Sequence, residues 1–274
     1  MDLNSTERIV ELTSRYEGER SEDGRPRVAD DILERMLKVT TEEAWGVLSS
    51  KEFQLQFEGD WINLHPERVL VGRAVTCRYV PRRPDLHEVI QEEGEQHGRV
   101  GGQNSWVIDT LEQGDVLVVE LFGKVNRGTF IGDNLGTAIA TRTGGTGLIV
   151  DGGIRDTQRV RQLAMNVFTK GLHPSAIGEV TMTEMNGPVR IGQSTAMPGD
   201  VVLGTSSGVI FIPPQLAEQV VNDSENTRLR DYWGKMSISD GRYTPGEVDR
   251  GWTDEMNAQF ASWKEGVDPA KLEI

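Results

Sequence analysis

The sequence has little of what an exported or membrane-spanning protein needs. Cys77 is its single cysteine, so no disulfide can form within the chain. No apolar run approaches the roughly eighteen residues of a membrane-spanning helix, and no basic start precedes an apolar stretch as in an export signal. These absences predict a cytoplasmic protein with no membrane partner. The apolar strand pattern around Cys77 predicts that it is a small core residue.

Positive charge is also scarce. The chain has 29 Lys and Arg residues against 43 Asp and Glu residues, for a formal net charge of −14. This balance opposes binding to a phosphate backbone, so we expect no nucleic-acid partner. The chain also has no glycine-rich nucleotide motif and no nucleophile-elbow serine. Nucleotide cofactors and triad hydrolysis therefore have no support.

The N-terminal part is polar and rich in breakers. A short helix is predicted from Thr6 to Tyr16, followed by a linker through Arg27 with few groups to bury. Between Val28 and Leu48, apolar residues at helical spacing predict two helices that pack on the rest of the chain, with Thr41 capping the second.

Two later segments have unusual composition. Glu92 to Gly102 is dense in charge and glycine, which predicts a mobile loop that is either solvated or a lid over a ligand. Residues 223–274 are polar but aromatic-rich, and disordered segments are usually poor in aromatics. We expect this tail to dock either on a neighbouring subunit or on its own through four anchors, Trp233, Trp252, Phe260 and Trp263.

The stretch from Gly132 to Asp156 carries the clearest chemistry. Gly132, Asp133 and Asn134 form a turn and cap signature, which predicts a helix start and hence backbone N–H groups suited to a small anion. Leu148 to Val150 reads as a buried strand, and Thr157 to Met165 as a second helix. At the carboxyl end of that strand, Arg155 matches a carboxylate and Asp156 offers oxygen ligands to Mg²⁺ or Mn²⁺.

Six motifs in one order carry a resemblance. Together they resemble the family of the regulator of ribonuclease activity A (RraA), whose catalytic branch comprises 4-hydroxy-4-methyl-2-oxoglutarate aldolases and related oxaloacetate decarboxylases. The ordered set is specific, although no single motif is. The motifs lie between about residue 66 and about residue 222, at Val71–Thr76, Gln113–Val119, Gly132–Leu135, Gly152–Asp156, Met197–Val202 and Gly208–Pro213.

The resemblance implies an architecture and an assembly. It implies an α/β fold, a compact β/β/α sandwich resembling the swivelling phosphohistidine domain, with N- and C-terminal helical extensions. The corresponding division is an extension at 1–65, a core domain at 66–222 and a tail at 223–274. Relatives assemble as trimers or hexamers with the active site at a subunit boundary, so we expect a homotrimer or homohexamer.

The same resemblance implies roles for site residues. Asp156 would hold a divalent cation, Mg²⁺ or Mn²⁺, partly through water, and Asp133 would belong to the outer metal shell. Arg155 would bind the keto acid and steady its enolate. The substrate carboxylate would be held by backbone groups of three further residues, Gly132, Asn134 and Leu135.

We therefore expect a divalent-metal-dependent lyase, an aldolase or decarboxylase that cleaves a carbon–carbon bond of a small 2-oxo acid through a pyruvate enolate. Two other interpretations stay open. One is a non-catalytic protein-binding regulator, as in the branch that names the family. The other is a metal-enolate enzyme acting on another acid-sugar or aromatic catabolite.

The chain departs from the family pattern at three places. Between Asp133 and Arg155 it has one residue more than catalytic members usually have, which we place in the turn at Thr143–Gly147. Arg159 stands where relatives commonly carry an acidic residue, which alters the charge near the expected metal. Thr205–Ser207 replaces an acidic stretch. The last two departures bear on the substrate more than on the metal.

Overall fold

The computed structural model describes residues 2–267, which contain helices at both ends of a strand-rich centre. The helices are α1 (Thr6–Leu12), α2 (Asp30–Met36), α3 (Thr41–Ser50), α4 (Pro84–Gln96), α5 (Gln103–Ile108), α6 (Asp133–Thr143), α7 (Thr157–Val160), α8 (Ala217–Ser239), α9 (Pro245–Val248) and α10 (Asp254–Glu265). The strands are β1 (Phe57–Glu58), β2 (Ile62–Asn63), β3 (Leu70–Pro81), β4 (Asp115–Thr129), β5 (Gly147–Ile154), β6 (Asn166–Leu172), β7 (Val180–Met185), β8 (Val189–Ile191), β9 (Ser194–Ala196), β10 (Val201–Thr205) and β11 (Gly208–Ile212).

Nine of these strands form one mixed sheet in the order β1-β11-β10-β3-β4-β5-β6-β2, with β7 paired to the end of β3. Its centre, β3-β4-β5-β6, is parallel, and the flanking pairs are antiparallel. β8 and β9 form a separate hairpin. The protein thus has a mixed α/β fold with a large mixed sheet and helices, whereas the likeness to a swivelling phosphohistidine domain stays a prediction.

Alternation along the parallel strands supplies two cores. Leu117 and Leu148 face a core shared with α4, α5 and α6, while Val118 and Ile149 face a second core closed by the β8–β9 hairpin. Because both faces are covered, the strands are continuously apolar. The buried run at the start of β4 confirms the predicted strand, and Cys77 is fully buried, as predicted.

The N-terminal segment is more closely attached than its composition suggested. α2 and α3 pack on β10, β11 and α8, which confirms the predicted helix pair. The prediction of a linker with little to bury is wrong at Arg25, which is 1% exposed and forms two hydrogen bonds, of 2.9 and 3.2 Å, to Asp115 at the start of β4. Arg73 is likewise buried and pairs with Asp30 of α2.

Four element predictions need correction. Glu92 to Gln96 continues α4 instead of forming a loop, because Gly94 lets the helix lie against the Trp106 ring, where a Cβ would approach within 2.3 Å. The cap of α3 is Thr40, not Thr41, in a reciprocal pair with Glu43. Two helices are shorter than predicted, since α1 ends at Leu12 and α7 at Val160.

The C-terminal segment folds back on its own subunit. α8 runs unbroken from Ala217 to Ser239, across the predicted boundary at 222–223. Trp233 of α8 is buried and contacts Trp252 at 4.8 Å and Phe260 at 6.0 Å between ring centroids, and Phe260 stacks on Trp263. The four predicted anchors therefore form one aromatic cluster. Among residues 2–267, no helix is both long and apolar enough to cross a membrane.

Candidate functional site

The site begins where α6 starts. Gly132 is the N-cap with an extended backbone, and the first intrahelical bond runs from Gly136 N–H to Gly132 O at 2.9 Å. This confirms the helix start predicted from Gly132, Asp133 and Asn134. The first N–H groups of a helix have no intrahelical acceptor, so this end of α6 favours an anion.

The end of β5 is fixed beside that helix start. β5 continues to Ile154, beyond the predicted strand end at Val150. Phe130 N–H donates to Gly153 O at 2.8 Å, and Arg155 N–H donates to Ile131 O at 3.0 Å. The segment that enters α6 is therefore bonded to the segment that carries Arg155. Asp156 follows in a left-handed conformation with φ of 53°.

This arrangement places the Asp156 carboxylate directly over Gly132. A Cβ built on Gly132 would lie 2.3 Å from Asp156 Oδ2 and 3.1 Å from Arg155 Nε. Arg155 Nε lies 3.7 Å from Asp156 Oδ2, and the two side chains are 43% and 36% exposed. A carboxylate, a guanidinium and a helix N-terminus thus meet at a position that only glycine leaves open.

Arg159 adds a second guanidinium to this region. Its Nη1 donates to Asp133 Oδ2 at 2.9 Å, and the side chain is 76% exposed. This hydrogen bond holds the pKa of Asp133 below its usual value. The departure at Arg159 therefore acts on Asp133, the residue expected in the outer metal shell.

A cavity of about 530 Å³ opens between the ends of β5 and β6 and the short helix α7. Arg155, Asp156, Arg159 and His173 line it. None of the other four predicted residues lines the cavity. Gly132 and Asp133 adjoin it through Asp156 and Arg159, whereas Asn134 is exposed and Leu135 is half-buried against the helix-side core. The structure therefore gathers Gly132, Asp133, Arg155 and Asp156, and leaves the side chains of Asn134 and Leu135 outside.

His173 lines the cavity and is a residue that the sequence pattern did not indicate. In the sheet, Ile154 pairs with Leu172, so Arg155 and His173 follow neighbouring parallel strands at the same level. The signal that could have identified it is its place directly after an apolar strand, since carboxyl ends of parallel strands meet at one edge. That signal requires knowing that β5 and β6 are adjacent.

The donor set suits a hard cation that keeps most of its water. Within the described part of the chain, no three His, Cys, Asp or Glu side chains cluster as metal ligands. Mg²⁺ is usually bound by one or two carboxylates plus water and substrate oxygens. The half-exposed Asp156, held over the bare Cα of Gly132, meets that requirement.

A protein-family model described as RraA-like, Aldolase/RraA, matches residues 31–211. The chain belongs to the RraA-like family. Its match begins at α2 and ends in β11, so the sheet and the candidate site fall within the RraA-like part. α1, α8, α9 and α10 lie outside it.

The chain is also similar to individual proteins. Protein DlpA of Legionella pneumophila is 28% identical over 63% of this chain. The matched region covers 26% of that protein's length. A Deinococcus radiodurans protein named "Putative 4-hydroxy-4-methyl-2-oxoglutarate aldolase" is 33% identical over 52% of this chain and 76% of its own. A Streptomyces coelicolor protein, described as an unusual member of the RNase ES inhibitor RraA family, has a similar fold. Its TM-score is 0.65 at 23% identity, over 80% of this chain and 99% of its own.

Proposed function

We propose that this RraA-like protein is a divalent-metal-dependent lyase that cleaves a carbon–carbon bond of a small 2-oxo acid, as an aldolase or a decarboxylase. One observation carries the proposal. Asp156 and Arg155 both point at the bare Cα of Gly132, where α6 begins. A regulator that acts through surface contact needs no such convergence, whereas a lyase of this kind needs a metal ligand, an anion-binding group and room for the substrate.

Asp156 would hold the cation, Mg²⁺ or Mn²⁺, with water completing its coordination. Bound there, the metal would supply Lewis-acid chemistry, drawing electron density from the 2-oxo acid as the bond breaks. Asp133 has a different task, because Arg159 already occupies one of its oxygens. It would belong to the outer shell of the cation, since its other oxygen accepts from Asn134 N–H at 3.0 Å.

Arg155 would bind the keto acid and stabilise the enolate left after cleavage. The bond from its backbone N–H to Ile131 O fixes the main chain of Arg155 at the cavity, and its side chain is only partly exposed. A planar guanidinium offers two parallel N–H groups to a carboxylate or enolate, which a lysine cannot. The backbone at the start of α6, at Gly132, Asn134 and Leu135, would complete the anion site, with the Asn134 N–H shared with Asp133 Oδ1 at 3.0 Å.

The proposal is tested by pyruvate release from oxaloacetate and a panel of 4-hydroxy-2-oxo acids with Mg²⁺ or Mn²⁺. Arg155→Lys should lower the rate about 30- to 1000-fold, which is roughly 2 to 4 kcal/mol of transition-state stabilisation. Arg142→Lys is a matched control. Arg142 is 42% exposed, forms a 2.9 Å ion pair with Asp109, and does not line the cavity. Loss of that exposed pair should leave the rate within a few-fold.

Asp156→Asn should nearly abolish both turnover and Mn²⁺ binding, and chelation should abolish turnover of the wild type. Full activity after exhaustive chelation would contradict the metal assignment. Arg155→Lys turnover equal to wild type would contradict the site. A wild type inert on every acid of the panel would contradict the lyase itself and favour the protein-binding regulator.

We also propose a closed homo-oligomer, a trimer or hexamer, in the cytoplasm. The support is membership of the RraA-like family together with a strand-rich core whose outermost strand β1 carries the half-exposed Phe57. Light scattering at micromolar concentration gives the mass directly. A monomer would contradict the proposal.

A further inference from the structure

His173 is a titratable side chain in the candidate cavity to which the proposed lyase chemistry gives no task. It follows β6 directly, as Arg155 follows β5, and its backbone N–H donates to Ile154 O at 3.1 Å. That bond fixes His173 at the same edge of the sheet as Arg155 and Asp156. All three line the same cavity.

The ring of His173 is held by a short chain of hydrogen bonds. Ser175 N–H donates to His173 Nδ1 at 3.1 Å, and Ser175 Oγ lies 2.9 Å from the same nitrogen. Ser175 Oγ itself accepts from Arg127 N–H at 2.7 Å, which leaves the hydroxyl hydrogen to point at the ring. A backbone N–H can only donate, so Nδ1 is an acceptor and the imidazole proton resides on Nε2.

The other nitrogen is available to a ligand. Nε2 of His173 is not sealed from solvent. No residue within 2–267 forms a hydrogen bond with it. A neutral ring with its proton on Nε2 presents a donor and no lone pair at that atom. It therefore suits an oxygen that gains negative charge and does not suit a metal ion.

We propose that His173 is a catalytic residue that donates a hydrogen bond from Nε2 to the enolate oxygen formed from the 2-oxo acid. The inference rests on the proposed lyase function. The ring keeps its proton throughout. The hydrogen bond from Nε2 strengthens as negative charge develops on the enolate oxygen, and it weakens again when the enolate carbon takes a proton from water. Ser175 is then a positioning residue, which sets the tautomer.

Two amide substitutions separate this role from a structural one. His173→Gln extends an N–H group to about the reach of Nε2, whereas the shorter amide of His173→Asn ends near the position of Nδ1. Both variants are polar and similar in size, so the fold should bear them equally. His97→Asn serves as the control, since His97 lies at the end of α4, is 58% exposed and does not line the cavity.

The assays follow each protein with Mn²⁺ present. They measure kcat for pyruvate release from oxaloacetate, hydrogen–deuterium exchange at the methyl group of pyruvate by NMR, and Mn²⁺ affinity by titration. His173→Asn should lose about 100-fold in kcat and in exchange, as for removal of one oxyanion donor, while His173→Gln stays within about 10-fold of wild type. Mn²⁺ affinity and the thermal midpoint should match wild type in both, and His97→Asn should match it throughout.

Three results would overturn the inference. If wild type is active and the Asn and Gln variants have equal rates, Nε2 donates nothing to the reaction. If His173→Asn weakens Mn²⁺ binding more than three-fold, His173 is a metal ligand. If wild type neither releases pyruvate nor exchanges its methyl protons, the lyase proposal fails first, and the role of His173 fails with it.

Discussion

Replacing Gly132 by alanine is the sharpest perturbation the candidate site allows. The backbone of Gly132 has φ of −119°, which any residue adopts, so the substitution introduces no backbone strain. The added methyl group would instead meet Asp156 Oδ2 at 2.3 Å and Arg155 Nε at 3.1 Å. Both atoms belong to flexible, partly exposed side chains that can shift, so the fold should tolerate the change while the geometry of the site is altered.

The size of the effect follows from that distance. An ordinary contact between a methyl carbon and an oxygen is about 3.4 Å, so the Asp156 carboxylate must move by about 1 Å. Misplacing a catalytic group by about 1 Å can cost roughly 100-fold in rate. We expect Gly132→Ala to lose about that factor in pyruvate release and to bind Mn²⁺ more weakly.

A second glycine provides the control. Gly46 lies within α3, and a Cβ built there meets nothing within 4 Å. Gly46→Ala should leave Mn²⁺ affinity and turnover unchanged and add up to about 1 kcal/mol of stability through helix propensity. Comparing the two variants in Mn²⁺ titration, pyruvate release and thermal unfolding separates an effect on the site from a general effect of alanine.

The reasoning is refuted if Gly132→Ala binds Mn²⁺ and turns over like wild type. It is also refuted if the loss of activity comes with a fall of the thermal midpoint as large as that of a core cavity variant. Either outcome would mean that the carboxylate over Gly132 is not the group on which the reaction depends.

Two further predictions concern buried charges. Arg25→Met should destabilise the fold by about 3 to 5 kcal/mol in urea unfolding, because it leaves Asp115 buried without its partner. Adding Asp115→Asn should recover part of this loss. A loss of less than about 1 kcal/mol in Arg25→Met would refute a structural role for the pair. Burial raises the pKa of Asp200 from 3.8 to about 8. Between these two pH values the Asp200 carboxyl group is therefore protonated in the folded state and ionised in the unfolded state. Its stabilising contribution is complete below about pH 4 and lost as the pH rises through about 8. The wild type should therefore lose more stability between pH 5 and pH 9 than Asp200→Asn, and parallel curves would contradict this.

The parts of the fold that the sequence predicted are those with local signals. The turn at Gly132 to Asn134 starts α6 because a cap signature needs only its neighbours, and the apolar run at the start of β4 needs only its own residues to indicate a strand covered on both sides. Cys77 was assigned to the core on the same ground.

What the sequence could not predict depends on distant partners. Arg25 looks like a linker residue until Asp115, 90 positions away, is seen to pair with it. Glu92 and its neighbours look like a loop until Gly94 is seen against Trp106. The link from Arg159 to Asp133 also spans two elements, so it alters the site in a way that spacing alone does not indicate.

The same difficulty applies to His173. Its place directly after an apolar strand becomes informative only because β6 lies beside β5. Site residues that follow adjacent parallel strands can be predicted only once strand order is known.

The hydrogen bond between Arg25 and Asp115 shows that the folded unit extends beyond the segment that matches the family. The RraA-like match starts at residue 31, after Arg25, so the segment that defines the family and the segment that folds are different lengths of chain. A fragment cut at the family boundary would keep β4 but remove the guanidinium that forms two hydrogen bonds with the buried Asp115 carboxylate. The first thirty residues therefore supply a counter-ion to the sheet from within the same chain.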